Sequence, residues 1–282
     1  LNRATAAGVT PYLGQPLRAL DPIAKTVTLR DGTTLRYRCL IAADGVGSLV
    51  AKTLFGQAFA PKTIGFGYEV EIPHTTPKPP VVQVDFTAAH WGYGWSFPKA
   101  HSQTIGVGGV RSRNPDLDSA MQRYLAQTAP EAPKTKAKGH YLPFGAFRKA
   151  PGQGAILLVG DAAGLVDPIT GEGIALALES GALAAQAAID ALARNAPDTA
   201  YRRYKPALKP IHRDLALARR LRWLIFPKAV QSQFHQSFAQ GSNLPAKFLG
   251  LLAGTHSYQD LRSVYLRKLP KAAWLLIRKG FL

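Results

Sequence analysis

The first clear pattern along the chain is a pair of alternating runs, TVTLRDGTTLRYR at residues 26–38, whose apolar and polar positions exchange on either side of Asp31-Gly32. That composition predicts a hairpin closed by a tight turn. The next four residues, CLIA, are continuously apolar and predict a strand covered on both faces. Between residues 64 and 109 the runs GFGYEVEIP, VVQVDF, WGYGWSFP and QTIGVGGV carry aromatic and β-branched residues between turn signals, so this region predicts a sheet, with HTTPKPP as a loop. DLDSAMQRYLAQTAP reads as a helix and APKTKAKG as a solvated connection. AILLV is a second buried strand, followed by an Ala-rich helix that starts near Glu172. LNRATAAG at the start reads as a helix end. From Asp190 onward the pattern is helical and amphipathic, interrupted at Pro206, Pro210, Pro227, Pro245 and Pro270. No internal repeat is visible. No uninterrupted apolar run reaches the roughly 20 residues that span a bilayer, because Glu179, Gln186 and Asp190 punctuate the Ala-rich helix. The organisation is α/β, with a sheet-rich insertion and a helical tail.

Composition narrows this picture. A chain of 282 residues that is 46% hydrophobic has enough apolar mass for one large or two modest cores, which excludes global disorder. Its first residue is Leu1, which predicts a fragment or a processed chain. A single cysteine, Cys39, excludes an internal disulfide and a cysteine zinc site, points to a reducing compartment, and reads as a small core residue. The formal charge of +18 is unevenly placed: residues 201–282 hold 16 Lys and Arg against Asp214 and Asp260. Such a segment suits nucleic acid, an anionic membrane surface or an acidic partner.

The candidate chemistry lies where apolar strands end. AILLVGDAAG puts Gly160 and Asp161 just past a strand, where open α/β sheets bind ligands; an Asp there can accept from sugar hydroxyls, or it can close an Asx-turn. DPITGEGI then leads into a helix whose first residues, Gly171 to Ile174, are read as lacking large side chains, so that their amides stay open to a ligand. Open amides at the positive end of a helix dipole favour an anion: a phosphate, or the negative edge of a reduced flavin. IAADGVGS places Asp44-Gly45 at the end of the other buried strand, again as ligand site or as turn. A complete G-x-G-x-x-G after a strand occurs nowhere in the chain.

Taken together, ADGxxS and the downstream LxGDAAGxxDPxxGEGI resemble the flavoprotein fold of p-hydroxybenzoate hydroxylase and its relatives. Between them GYGWSFPKAHSQTIGVG resembles the Y-x-W-x-F-P and following glycine of the geranylgeranyl reductase family, here Tyr93, Trp95, Phe97, Pro98 and Gly106; Leu158, Gly160 and Asp161 match that family's L-x-G-D. The resemblance covers nearly the whole chain in order and lacks the family's opening G-x-G-x-x-G segment. It implies an incomplete FAD-binding Rossmann-like domain with an inserted antiparallel β-sheet substrate domain and a C-terminal helical region. The implied boundaries are 1–60 and 148–195 for the two FAD-binding parts, 61–147 for the insertion and 196–282 for the basic helical region.

By the same resemblance, Asp44 and Gly45 lie near the cofactor pyrophosphate, and Gly160 and Asp161 lie at the ribityl chain. Gly171, Gly173 and Ile174 meet the pyrimidine edge of the isoalloxazine, Pro168 belongs to the cofactor-binding turn that Asp167-Pro168 shapes, and Tyr93, Trp95, Phe97 and Pro98 wall a lipid cavity. The implied activity is saturation of isoprenoid C=C bonds of a prenyl lipid or pigment precursor by hydride from reduced FAD, with NAD(P)H or another reductant as electron donor. Tyr93 and His101 are the candidate proton donors. Expected partners are a prenyl substrate and, through the Leu, Trp and Lys-rich C-terminus, a membrane surface contacted from the cytoplasmic side, with no specific nucleic acid. On the same fold an aromatic monooxygenase or a halogenase is the rival; halogenases carry W-x-W-x-I-P, and this chain has Tyr93 and Phe97 at the outer positions. A basic nucleic-acid or membrane-surface binding protein is the rival of another class.

Overall fold

The structure, a computed structural model, describes residues 2–73, 81–133, 135–144, 146–239, 244–253 and 255–259. A short helix α1 (Asn2–Ala6) precedes a three-stranded antiparallel sheet of β1 (Leu17–Asp21), β2 (Thr26–Leu29) and β3 (Thr34–Arg36). Asp31 Oδ1 accepts from the Thr33 amide inside the β2–β3 turn (2.9 Å), and Gly32 takes φ 91°, the conformation that its neighbours' side chains would resist. The hairpin predicted at Asp31-Gly32 is therefore present.

Strand β4 (Leu40–Ala42) leads to helix α2 (Leu49–Phe55). The antiparallel insertion follows: β5 (Gly65–Pro73), β6 (Gln83–Asp85), β7 (Gly92–Pro98), β8 (Ser102–Val110), helix α3 (Leu117–Thr128) and β9 (Lys138–Leu142), in the sheet order β6-β7-β8-β5-β9. The chain then returns through β10 (Gly152–Gln153) and β11 (Ile156–Leu158), which joins β4 as a parallel neighbour in a sheet ordered β10-β11-β4. Helix α4 (Ile174–Ala193) follows, then α5 (Ala200–Ala207), α6 (Lys209–Leu221), α7 (Lys228–Ala239) and α8 (Leu244–Leu252). The architecture is mixed α/β.

Three apolar cores hold these parts. The first packs β11, α2 and the buried alanines of α4 against Tyr204, Leu208 and Leu215 of the next helices, and Tyr204 donates its hydroxyl to the Leu158 carbonyl (3.1 Å). The second joins the sheet and the C-terminal helices through Phe86, Trp91, Ile225 and Phe226. In the third, α3 covers one face of the five-stranded sheet with Leu117, Met121 and Tyr124 over Ile105 and Val107.

Four expectations change. Ile41 is 37% exposed, so β4 is not covered on both faces; among the described residues β11 is its one strand partner. Residues 138–142, assigned in part to a solvated connection, form β9, because backbone pairing with β5 overrides their polar composition. Pro206 sits inside α5, which ends one residue later at Ala207, so the helix is interrupted just past the proline and not before it. Helix α4 is long and apolar enough to cross a membrane by length and composition alone; its punctuating polar residues interrupt a run without lowering the average enough. One α4 face buries Ser180, Ala184, Ala187 and Ala191, while Ile174, Leu178 and Ile189 are exposed. The HTTPKPP loop, Pro270 and the basic tail beyond residue 259 lie outside the described residues.

Candidate functional site

Because β4 and β11 are parallel, with Leu40 against Ile156 and Ala42 against Leu158, their carboxyl ends open on one edge of the sheet. The structure thus sets the Asp44-Gly45 and Gly160-Asp161 turns side by side. At the first, Asp44 Oδ2 accepts from the Val50 amide (3.2 Å) and Ser48 Oγ from the Ala51 amide (2.8 Å), satisfying two free amides of α2. Gly45 has φ 74°, Asp44 is exposed, and nothing lies within 4 Å of a Cβ built on Gly45. This turn is open.

The second turn is crowded. Gly160 has φ 52°, donates its amide to Ser180 Oγ (3.0 Å), and would place a Cβ 2.9 Å from that of Ala177. The chain next descends to Asp167, a half-buried carboxylate enclosed by the loop's own groups. Its Oδ1 accepts from the Ile169 and Thr170 amides (2.8 Å each) and from the Tyr258 hydroxyl (2.8 Å). Burial raises its pKa, and those hydrogen bonds oppose the rise. Tyr93 of β7 donates its hydroxyl to the Thr170 carbonyl, so the loop is tied to the sheet as well as to the segment after α8.

Gly171 and Glu172 do not present bare amides: the Gly171 amide donates to the Asp167 carbonyl (2.9 Å) and that of Glu172 to Thr170 Oγ1 (3.2 Å). Ala175 is capped by Glu172 Oε1 (2.7 Å). Among the described residues the Gly173, Ile174 and Leu176 amides make no hydrogen bond, leaving three donors at the start of α4. A Cβ on Gly173 would lie 3.4 Å from Asp161 Oδ1, which puts that carboxylate at the same helix end. Burial raises the Asp161 pKa, and the nearby His140 charge pulls it back. Pro168 follows Asp167 within the pinned loop.

The face of the five-stranded sheet opposite α3 carries Tyr93, Trp95 and Phe97 as a ladder, with ring centroids 5.9 and 6.4 Å apart. Register places Gly108 beside Tyr93 and Gly106 beside Trp95. A Cβ on Gly106 would overlap the Trp95 ring, and those on Gly108 and Gly67 would come within 3.2 and 3.4 Å of it. The indole lies on a floor of glycine. Glu69 and Glu71 share this face further along β5, where Glu71 pairs with Lys99 (3.0 Å). Pro98 ends the strand. His101 sits exposed in the β7–β8 turn, at the opposite end of β7 from Tyr93, and is not brought to the Thr170 loop. Burial pushes the Tyr93 hydroxyl well above its ordinary value, and the Asp167 charge adds to this; its proton is already committed to Thr170.

Two participants are missing from the sequence-based set. His140 of β9 pairs with Gly67, which pairs with Gly108 beside Tyr93, so His140 shares the ladder's face and reaches Asp161 electrostatically. The period-two spacing of Lys138, His140 and Leu142 is the signal for it. Tyr258 has no such local signal, since its partner is far away in sequence.

Comparison with known proteins is consistent with these motifs. The family model described as tryptophan halogenase matches residues 2–215. Digeranylgeranylglycerophospholipid reductase 1 of Methanopyrus kandleri is 30% identical over 229 residues, covering 75% of this chain and 61% of the relative. Menaquinone reductase of Mycolicibacterium smegmatis is 31% identical over 229 residues, covering 73% and 53%. The chain thus spans between about half and three fifths of the length of these two relatives. Among solved structures, a geranylgeranyl bacteriochlorophyll reductase-like protein from Thermoplasma acidophilum superposes with TM-score 0.64 at 22% identity, over 75% of this chain and 56% of that one. A flavin-dependent halogenase from Brevundimonas sp. gives TM-score 0.58 at 16% identity, over 86% and 53%. With its family model matched over most of its length, the chain belongs to the tryptophan halogenase family, on the FAD-dependent flavoprotein fold to which the geranylgeranyl reductase resemblance pointed.

Proposed function

We propose that the protein is an FAD-dependent reductase that saturates isoprenoid double bonds of a prenyl lipid or prenylated small molecule. The observation that carries this reading is the aromatic ladder on its glycine floor, tied by Tyr93 to the loop that offers the Gly173 and Ile174 amides. An isolated alkene has no polar handle, so an apolar wall of fixed shape is what can position it.

The residues present fit the flavin half of the cofactor. Unpaired amides at a helix N-terminus suit an anionic pyrimidine edge, the half-buried Asp161 suits a sugar-alcohol chain, and open Gly45 leaves room for a pyrophosphate. When bound, FAD supplies hydride chemistry, replenished by NAD(P)H or another reductant. The chain's own part is to hold and orient: Asp167 and Tyr93 fix the loop, Trp95 and Phe97 exclude water from one side, and Pro168 and Gly171 shape the turn. Since the Tyr93 proton is held by Thr170, His140 is the better-placed group to bring a proton to the ladder's face. The action belongs on the cytoplasmic side of a membrane that stores the lipid.

The test is to purify the protein with whatever sequence its gene places before Leu1 and to follow anaerobic reoxidation of its reduced flavin by geranylgeranyl lipids. Saturated product formed without oxygen supports the reductase. A colourless protein, or reoxidation that requires oxygen, rejects it. The family model and the halogenase superposition support a second reading, a monooxygenase or halogenase, which predicts oxygen-dependent turnover with hydroxylated or halogenated product.

A further inference from the structure

Two arginines stack on Trp91, a third lies near one of them, and among the described residues no carboxylate pairs with any of the three. The Arg113 guanidinium lies 4.5 Å and that of Arg222 5.3 Å from the indole centroid, while that of Arg219 lies over the Phe147 ring, 5.6 Å from its centroid, and acts on Arg222 electrostatically. Arg222 Nε and Nη1 are buried and have no hydrogen-bond partner. The two ion pairs among the described residues, Lys25–Asp198 and Lys99–Glu71, lie elsewhere. Burial, with Arg219 and Arg113 beside it, depresses the Arg222 pKa to about 10. A ring face offsets only part of the lost hydration of a guanidinium, and it cannot replace a counter-charge for three.

The surroundings are rigid. Trp91 adopts φ 52°, an uncommon backbone state for a bulky residue, and its carbonyl accepts from the Val110 amide (3.2 Å). Buried Asn114 clamps the preceding residue, accepting from the His90 amide (2.9 Å) and donating to the His90 carbonyl (2.6 Å). Trp223 packs edge-on against Trp91 at 4.5 Å. Arg113 is exposed, which opens the cluster to solvent. Unpaired guanidinium N–H groups on a fixed platform match the oxygens of a phosphoryl group, which can accept bidentate hydrogen bonds and carry the missing charge.

We infer that Arg113 and Arg222 form a phosphate-binding site on the Trp91 platform, with Arg219 adding positive charge beside it, taking either the phosphoryl headgroup of a lipid or a free phosphate or diphosphate. Trp91 lies two residues before Tyr93, roughly 7 Å along the strand direction, and Phe86 contacts both Tyr93 and Phe226, which stacks on Trp91. A headgroup held there would stand beside the ladder; that assignment rests on the prenyl-reductase reading, whereas the phosphate site does not.

The experiment is binding and thermal unfolding of the protein as purified, without reductant, titrated with inorganic phosphate, inorganic diphosphate, geranylgeranyl diphosphate and geranylgeraniol, with chloride matched for ionic strength. Saturable quenching of tryptophan fluorescence by the phosphorylated probes, with a rise in Tm, is expected. Arg222→Gln and the exposed Arg113→Gln should each weaken binding about tenfold or more, and Arg222→Gln should keep or raise the unliganded Tm, since it removes an unpaired buried charge. A structural role for Arg222 would lower that Tm. Equal affinity for inorganic diphosphate and its prenyl ester identifies a free anion as the ligand; tighter binding of the ester identifies a lipid headgroup. Either supports the site. No response beyond the chloride control, or unchanged affinity in both variants, overturns it. Because no turnover is measured, failure of the reductase reading leaves this result standing.

Discussion

The two turns that leave β4 and β11 have the same ingredients, an acid and a positive-φ glycine at the end of a short strand, yet they are built to different tolerances. Asp44 and Gly45 face open space, and their hydrogen bonds close only α2. Gly160 and the loop from Asp167 are tied to α4, β7 and the segment after α8. Neighbouring position on a sheet therefore does not confer equal rigidity; cross-links from distant chain segments do. The loop with the unpaired Gly173 and Ile174 amides is the one so held, as preorganised recognition of charge requires.

The difference is largest at Asp167. Asp167→Ala leaves two loop amides and the Tyr258 hydroxyl without their acceptor and should destabilise the fold by about 3 kcal/mol or more in chemical denaturation, while Asp167→Asn, which keeps an oxygen for all three donors, should be close to neutral. An equal loss in both would mean that the charge, and not the acceptor, holds the loop. Gly160→Ala meets both a strained φ and the Ala177 methyl and should cost about 2 kcal/mol; Gly45→Ala meets strain alone and should cost about 1 kcal/mol. Identical Tm shifts for the two glycines would erase the distinction between a crowded and an open turn. Tyr258→Phe removes one of three donors and should cost about 1 kcal/mol.

The smallest expected effect is a pH slope. A carboxylate whose pKa is raised on folding binds more protons in the folded state, so Asp167 makes stability fall as pH rises from its ordinary value of 3.8 through its raised one, and level off above it. Denaturation midpoints should show a flatter slope over this window in Asp167→Asn. A slope unchanged by that substitution would assign it to another group, Asp161 first.

Much of this was legible in the sequence, for a physical reason: strand ends, turns and helix starts are local, and their glycines and acids announce themselves. The β2–β3 turn and the ladder residues follow from period-two alternation. What was hidden is what distance decides. Ile41 looks like core until its strand proves to have one neighbour, β9 is too polar to read as a strand until β5 pairs with it, and nothing near Tyr258 or Arg222 in sequence names Asp167 or Trp91 as its partner. His101 shows the opposite error, since its nearness to the ladder in sequence becomes the full length of β7 in space.

The glycine floor beneath Trp95 has one more consequence. Where most walls of a binding surface rest on interlocked side chains, so that changing one disturbs those beneath it, the Trp95 ring rests on bare backbone and meets its ladder neighbours Tyr93 and Phe97 at its sides. Substituting residue 95 alone would re-size the surface while leaving the sheet's register intact. The ladder is therefore the part of the molecule where a new ligand preference can be acquired in one mutational step.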